Sequence, residues 1–163
     1  MNSREFWTML DHACVDGADY VLSCTDYRTA WDGCARGDWM LWAAGWADVD
    51  RRKLAGALAA CVNTVSHLML CQSSIDALQG LRRYADGEIG EEQLELLGEA
   101  AWDDPRASGS ADVAVGHAAA LRTADALLAA SQACDDLSIS DNMRRYADLT
   151  RAHIRYEDLN INF

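Results

Sequence analysis

The stretch "CARGDWMLWAAGW", residues 34–46, gathers the chain's densest set of side chains able to recognise a ligand. Trp39, Trp42 and Trp46 stand at i, i+3 and i+7, a spacing that puts all three indoles on one face of a helix. Such a face can line a pocket for a cation or a nucleobase. A base-stacking platform needs a basic groove, however, and residues 26–50 hold two arginines against five aspartates. Trp31, Trp39, Trp42 and Trp46 are therefore read as anchors of a helical core. Trp46, at the helix end, is the one placed to reach the surface as a contact for a partner. Arg36-Gly37-Asp38 spells the adhesion tripeptide, which requires an exposed extracellular loop. Here Gly37 reads as a break between two helices and Asp38 as the N-cap of the second.

Metal and catalytic chemistry find little support. His12, His67, His117 and His153 fall on four different expected helices, and no HxxxH, CxxC or CxxH spacing occurs. Cys14, Cys24 and Cys34 recur every ten residues, as do Cys61 and Cys71. Ten residues turn a helix by about 1000°, so successive thiols point to different sides. No glycine-rich phosphate loop, nucleophile elbow or nicotinamide fingerprint appears. The expectation is a protein that is not an enzyme and takes no metal or cofactor.

Two charged features remain. Between Asp86 and Asp104 lie eight acidic residues and no basic one: Asp86, Glu88, Glu91, Glu92, Glu95, Glu99, Asp103 and Asp104. Like charges at i, i+4 weaken a helix by a few tenths of a kcal/mol per pair, a cost that a binding partner would offset. A solvated face with glutamates near a helix N-terminus accounts for the same residues. The second feature is Arg144, Asp148, Arg151 and Arg155 along one side of the last helix. These are expected to ion-pair within it, to neutralise the acidic helix, or to pair two chains.

The elements that must position these residues are helices. Alanine is abundant, Pro105 is the only proline, and no run alternates as a strand does. Ser3 is the expected N-cap of a first helix bearing Phe6, Trp7 and Leu10 and ending near Gly17, with "ADYVLSCTD" as an irregular connector. Asp26 caps a short helix. Asp50 opens the clearest one, with Leu54, Leu58, Cys61, Val62, Val65, Leu68 and Met69 as its stripe. Ile75, Leu78, Leu81 and Ala85 face inward from a helix stopped by Gly87. Leu94, Leu97 and Ala101 do so from the acidic helix, which ends in a loop at residues 103–110. Asp112 is expected to cap a helix running to about Gln132, with Val113, Ala120, Ala124, Leu127 and Leu128 inward. Asn142–Tyr156 presents Met143, Tyr146, Ala147 and Ile154, with Thr150 as a polar intruder. The whole predicts an all-α, single-domain bundle of about seven helices spanning residues 1–163, with a frayed or extended tail at 157–163.

Half of the 163 residues are apolar and a quarter charged, as in ordinary globular chains. The net charge of −12 repels nucleic acid and membrane surfaces and attracts basic partners. Thirteen of the 14 basic residues are arginine, Lys53 being the exception, a bias that points to a GC-rich coding source. No run of about 20 apolar residues exists to span a membrane, and the N-terminus lacks a secretory h-region. With six cysteines too sparse for a stapled secreted domain, the thiols are expected free and the protein cytoplasmic.

Four segments occur in order: "AWDGCARGDWMLWAAG", "ALQGLRRYADGEIGEEQL", "VAVGHAAALRTADALLAA" and "RRYADLTRAHI". Together, over about residues 30–155, they resemble a family of small helical immunity proteins of bacterial and phage genomes. The most specific parts are Gly37, Asp38, Trp39, Leu41 and Trp42 and the step from Tyr84 to Ile89. Where relatives carry a charged, proline-containing turn, this chain has "HLMLCQSS", expected to join two helices that are separate in the family. The resemblance implies an all-helical inhibitor that neutralises a protein such as a toxin. The expected partner is a protein with a basic surface, met by the acidic stripe, with no direct nucleic acid and no membrane. The alternative is a phage-encoded anti-defence protein, an anti-CRISPR or DNA mimic, whose carboxylates imitate phosphates. A homodimer through the alanine face of residues 113–131 stays open.

Overall fold

The computed structural model describes residues 12–134, 138–159 and 161. Among them the chain is all-helical, with nine α-helices: α1 (Val15–Ser23), α2 (Tyr27–Gly33), α3 (Gly37–Trp46), α4 (Arg51–Asn63), α5 (Gln72–Ala85), α6 (Glu91–Asp103), α7 (Ser110–Ala119), α8 (Thr123–Ala133) and α9 (Ile139–His153). Short 3-10 turns follow at Ser66–Leu68 and Tyr156–Leu159. The Ser3 cap and the Phe6, Trp7 and Leu10 face lie outside the described residues.

Local capping chemistry sets several boundaries. Asp26 accepts the Thr29 N–H at 2.7 Å and starts α2. Asp50 accepts the N–H groups of Arg52 and Lys53 at 3.0 and 3.2 Å and starts α4. At the other end of α5, Gly87 adopts φ +82°, so that its N–H reaches Tyr84 and that of Glu88 reaches the Arg83 carbonyl. That pair of bonds is a Schellman stop.

α4 is the central helix. Leu54, Ala55, Ala57, Leu58, Ala59, Cys61 and Val62 are all buried, and α5, α7, α8 and α9 pack around it. Alanines on several sides let four neighbours come close, which a helix of leucines alone would not permit. α5, α6, α7 and α8 pack in sequence, each against the next, and α9 returns to cover α3 and α4. One buried cluster runs from Trp31 in α2 to Leu159 after α9.

Several expectations need correction. The count rises from about seven to nine among the described residues. "ADYVLSCTD" is largely helical, within α1, and Gly17 is a buried residue of that helix rather than its end. The helix after Asp50 stops at Asn63, so α4 and α5 are separate and "HLMLCQSS" does not fuse them. Leu68 is exposed accordingly. The helix expected up to Gln132 breaks at Leu121, which takes φ 53° while Leu121 and Arg122 donate to the carbonyls of Ala118 and His117. This is a Schellman stop with leucine where glycine is usual, so the sequence carries no stop signal. The break turns Ala120, Ala124 and Leu128 outward.

Asp112 is not a cap. It is the third residue of α7, 2% exposed, and accepts the Leu70 N–H at 3.2 Å and the Cys71 thiol at 3.3 Å. It thereby ties the loop before α5 to α7. Arg36, not Asp38, occupies the N-cap position of α3, and Asp38 lies in its first turn. No disulfide forms: Cys34, Cys61 and Cys71 are buried thiols, and Cys14 is exposed. Among the described residues no helix is long and apolar enough to cross a membrane.

Candidate functional site

Acidic and aromatic residues singled out in the sequence lie on the outer face of α6 and in a cleft beside α3.

α6 is seated by close approach to its neighbours. Leu97 lies where a Cβ on Gly80 of α5 would stand, 2.3 Å from it, and Trp102 lies 2.9 Å from the Cβ position of Gly116 in α7. Gly98 in turn admits the Ala119 methyl. Glycines thus let α6 lie flush on α5 and α7, with Leu94, Gly98 and Ala101 buried. The opposite side carries Glu92, Glu95, Glu99 and Asp103, all exposed and without an ion-pair partner among the described residues. Leu96 stands among them, 61% exposed. Trp102 flanks them at 47% exposure, its inner edge held in a T-shaped contact with His117 at 5.0 Å. Burial lowers the His117 pKa, which disfavours a charged ring beneath Trp102.

The remaining acidic residues are placed differently. Glu91 pairs with Arg51 of α4 at 2.7 Å, and Glu88 with Arg83 at 3.3 Å. Asp104 turns inward, bound by Arg106 through two side-chain bonds at 2.9 and 3.0 Å and by the Ser73 hydroxyl at 2.9 Å. The Arg106 guanidinium holds its carboxyl well below the usual carboxylate range. Asp104 fastens the α6–α7 loop to α5 and is not free for a partner. Asp86 is exposed at the C-cap of α5. The arginines of α9 do not meet α6. Arg151 pairs with Asp148 at 2.6 Å and donates to the Trp31 and Cys34 carbonyls, pinning the end of α2.

The tryptophans divide. Trp31 is buried in the core cluster. Trp39 and Trp42 are half-buried and Trp46 is 42% exposed, stacked on His12 at 5.4 Å. The core contacts of α3 come instead from Met40, Leu41 and Ala44. Their own face packs on α8 and α9, leaving the indoles to the side. Sequence spacing placed three indoles on one face but held no signal of which face the bundle would cover.

Trp39 and Trp42 border a cleft of about 420 Å³ between α1, α2 and α3, lined also by Tyr20, Tyr27, Trp31 and Met40. Arg36 and Asp38 stand at it. The guanidinium bonds both carboxylate oxygens, at 2.9 and 2.6 Å, and lies 4.5 Å from the centroid of the Trp39 ring. The Tyr20 hydroxyl donates to the Ala30 carbonyl at 2.9 Å, and burial pushes its pKa up to about 12. The cleft therefore offers ring faces and one charged pair, with His12 and Cys14 also in its lining. Among the described residues no cluster of three or more histidine, cysteine or acidic side chains is arranged to hold a metal.

Comparison with known proteins adds no assignment: no family model, no curated protein and no solved structure matches the chain.

Proposed function

We propose that this protein is a non-enzymatic inhibitor of the immunity-protein kind, which neutralises a basic-surfaced protein by docking the outer face of α6. The observation that carries this reading is the composition of that face: Glu92, Glu95, Glu99 and Asp103, with no ion-pair partner among the described residues, around exposed Leu96 and Trp102. A merely solvated helix has no use for a leucine and a tryptophan among its carboxylates. Binding surfaces, in contrast, set a few apolar anchors inside a polar rim. The glycine-seated packing keeps the face rigid, so little ordering entropy is lost on docking. The anti-defence alternative shares the carboxylates, which imitate phosphates equally well. It gives no role to the two apolar side chains, which fit a pocket on a folded protein better than a nucleic-acid channel.

The test is capture from a lysate of the source cells with the wild-type chain, Glu92→Lys/Glu95→Lys/Glu99→Lys, and Leu96→Asp, followed by identification and purification of what is retained. The expected partner is basic, binds 1:1, and is lost with either variant while circular dichroism shows both still folded. A partner that binds all three chains alike refutes the reading. One that competes with DNA for the same site shifts it to the anti-defence alternative.

A further inference from the structure

We propose that the cleft between α1, α2 and α3 is a second, independent site, which binds a small planar organic cation of the amidinium or guanidinium class. The molecule already holds such a cation there. The Arg36 guanidinium lies 4.5 Å from the Trp39 ring centroid and bonds both oxygens of Asp38, the geometry by which an indole face and a carboxylate together recognise a flat delocalised charge. Arg36 is an internal stand-in, because its side chain is 43% exposed and reaches the position from the chain just before α3.

Behind that position the cleft continues into space that no side chain among the described residues fills, about 420 Å³ in all, walled by Tyr20, Tyr27, Trp31, Trp42 and Met40. That volume lies within the range of small-molecule sites and is apolar, as such sites are. Gly17 of α1 also lines the cleft, and a Cβ added to it would stand 3.6 Å from the Trp39 ring and 3.2 Å from the Cys14 Sγ. A ligand with a cationic head and an aromatic body would place the head against Trp39 and Asp38 and the body among the rings. The net charge of −12 favours a cation over an anion, and among the described residues Arg36 and His12 are the only basic side chains in the lining.

The test uses benzamidine, a cation at pH 7, against benzamide, its neutral counterpart of the same shape, each titrated calorimetrically into the full chain. Benzamidine should bind at least tenfold more tightly than benzamide. Arg36→Gln, which removes the internal competitor and leaves Asp38 and Trp39, should raise the benzamidine affinity about tenfold. Trp39→Leu should abolish it. Equal affinity for the two compounds, or an Arg36→Gln chain that binds benzamidine no better than the wild type, overturns the proposal. The Arg36→Gln arm holds even should Trp39→Leu fail to fold. Because no α6 residue lines the cleft, this result and that of the partner capture are independent.

Discussion

Gly37 offers the sharpest check on the packing. It is buried at the first position of α3, and a Cβ built on it would stand 2.5 Å from the Tyr146 Cβ and 2.7 Å from both the Tyr146 carbonyl carbon and the Ala147 nitrogen. Two of these three atoms are backbone of α9, so no rotamer change relieves the contact. To restore an ordinary 3.4 Å separation, α3 and α9 would have to part by close to 1 Å. That movement would open the contacts of Met40, Leu41 and Tyr146 in the core. Overpacking of this kind costs about 2–4 kcal/mol for Gly37→Ala, less a few tenths regained because alanine is the better helix former. The control is Gly45→Ala in the same helix, where the added methyl meets nothing within 4 Å and should stabilise by about 0.5–1 kcal/mol. Guanidinium unfolding followed by circular dichroism measures both. With a slope of about 4 kcal/mol per molar, the Gly37→Ala midpoint should fall by roughly 0.5–1 M. The Gly45→Ala midpoint should rise slightly. A Gly37→Ala midpoint within about 0.2 M of wild type would refute the close packing of α3 on α9. The same geometry removes Arg36-Gly37-Asp38 from consideration as an adhesion ligand. Its glycine lies against another helix, and its two charges are bonded to each other.

Two further outcomes follow from the helix stops and the carboxylates. Asp48, exposed at φ 53° in the stop after α3, should gain about 0.5–1 kcal/mol on Asp48→Gly, whereas Gly87→Ala at φ +82° should lose about 1 kcal/mol, both read as shifts in thermal midpoint. Asp104, held low by Arg106, and Asp158, held low by Lys53, are depressed relative to the unfolded chain. Their stabilisation is complete above the unfolded carboxylate pKa near 4 and is lost as the pH falls through the folded values. Unfolding midpoints taken from pH 5 down to pH 2 should therefore fall, and Asp104→Asn should show a shallower fall than wild type.

What could be read from the sequence was whatever depends on neighbours in the chain. Asp26 and Asp50 cap because their side chains reach N–H groups two or three residues on, and Gly87 stops a helix because it alone accepts its φ cheaply. The all-helical class follows from composition and periodicity in the same way. The stop at Leu121 escaped because leucine does not announce a left-handed backbone. Asp112 escaped for a different reason. An aspartate near a helix start looks like a cap unless one knows that Leu70, 42 residues earlier, brings an unpaired N–H to it. The acidic stripe was visible as a run, but its division was not. Glu91 is neutralised by Arg51 from α4, and Asp104 by a turn that closes on itself and on Ser73. Periodicity likewise showed that the indoles share a face while saying nothing of the gap that α1 leaves beside them.

The division of the stripe bears on how α6 would act. Long-range attraction depends on summed charge, so Glu92, Glu95, Glu99 and Asp103 would chiefly set the rate of encounter, and salt would screen them over about 8–10 Å. Leu96 and Trp102 make contact only after docking, so their contribution falls on dissociation. Trp102 is the stronger anchor of the two, because its inner edge is already fixed between His117 and Gly116 and loses little freedom when covered. Reversal of the carboxylates and truncation of the tryptophan should therefore weaken binding through different rate constants. The first effect fades at high salt and the second persists, a separation that a uniformly solvated acidic helix has no means to produce.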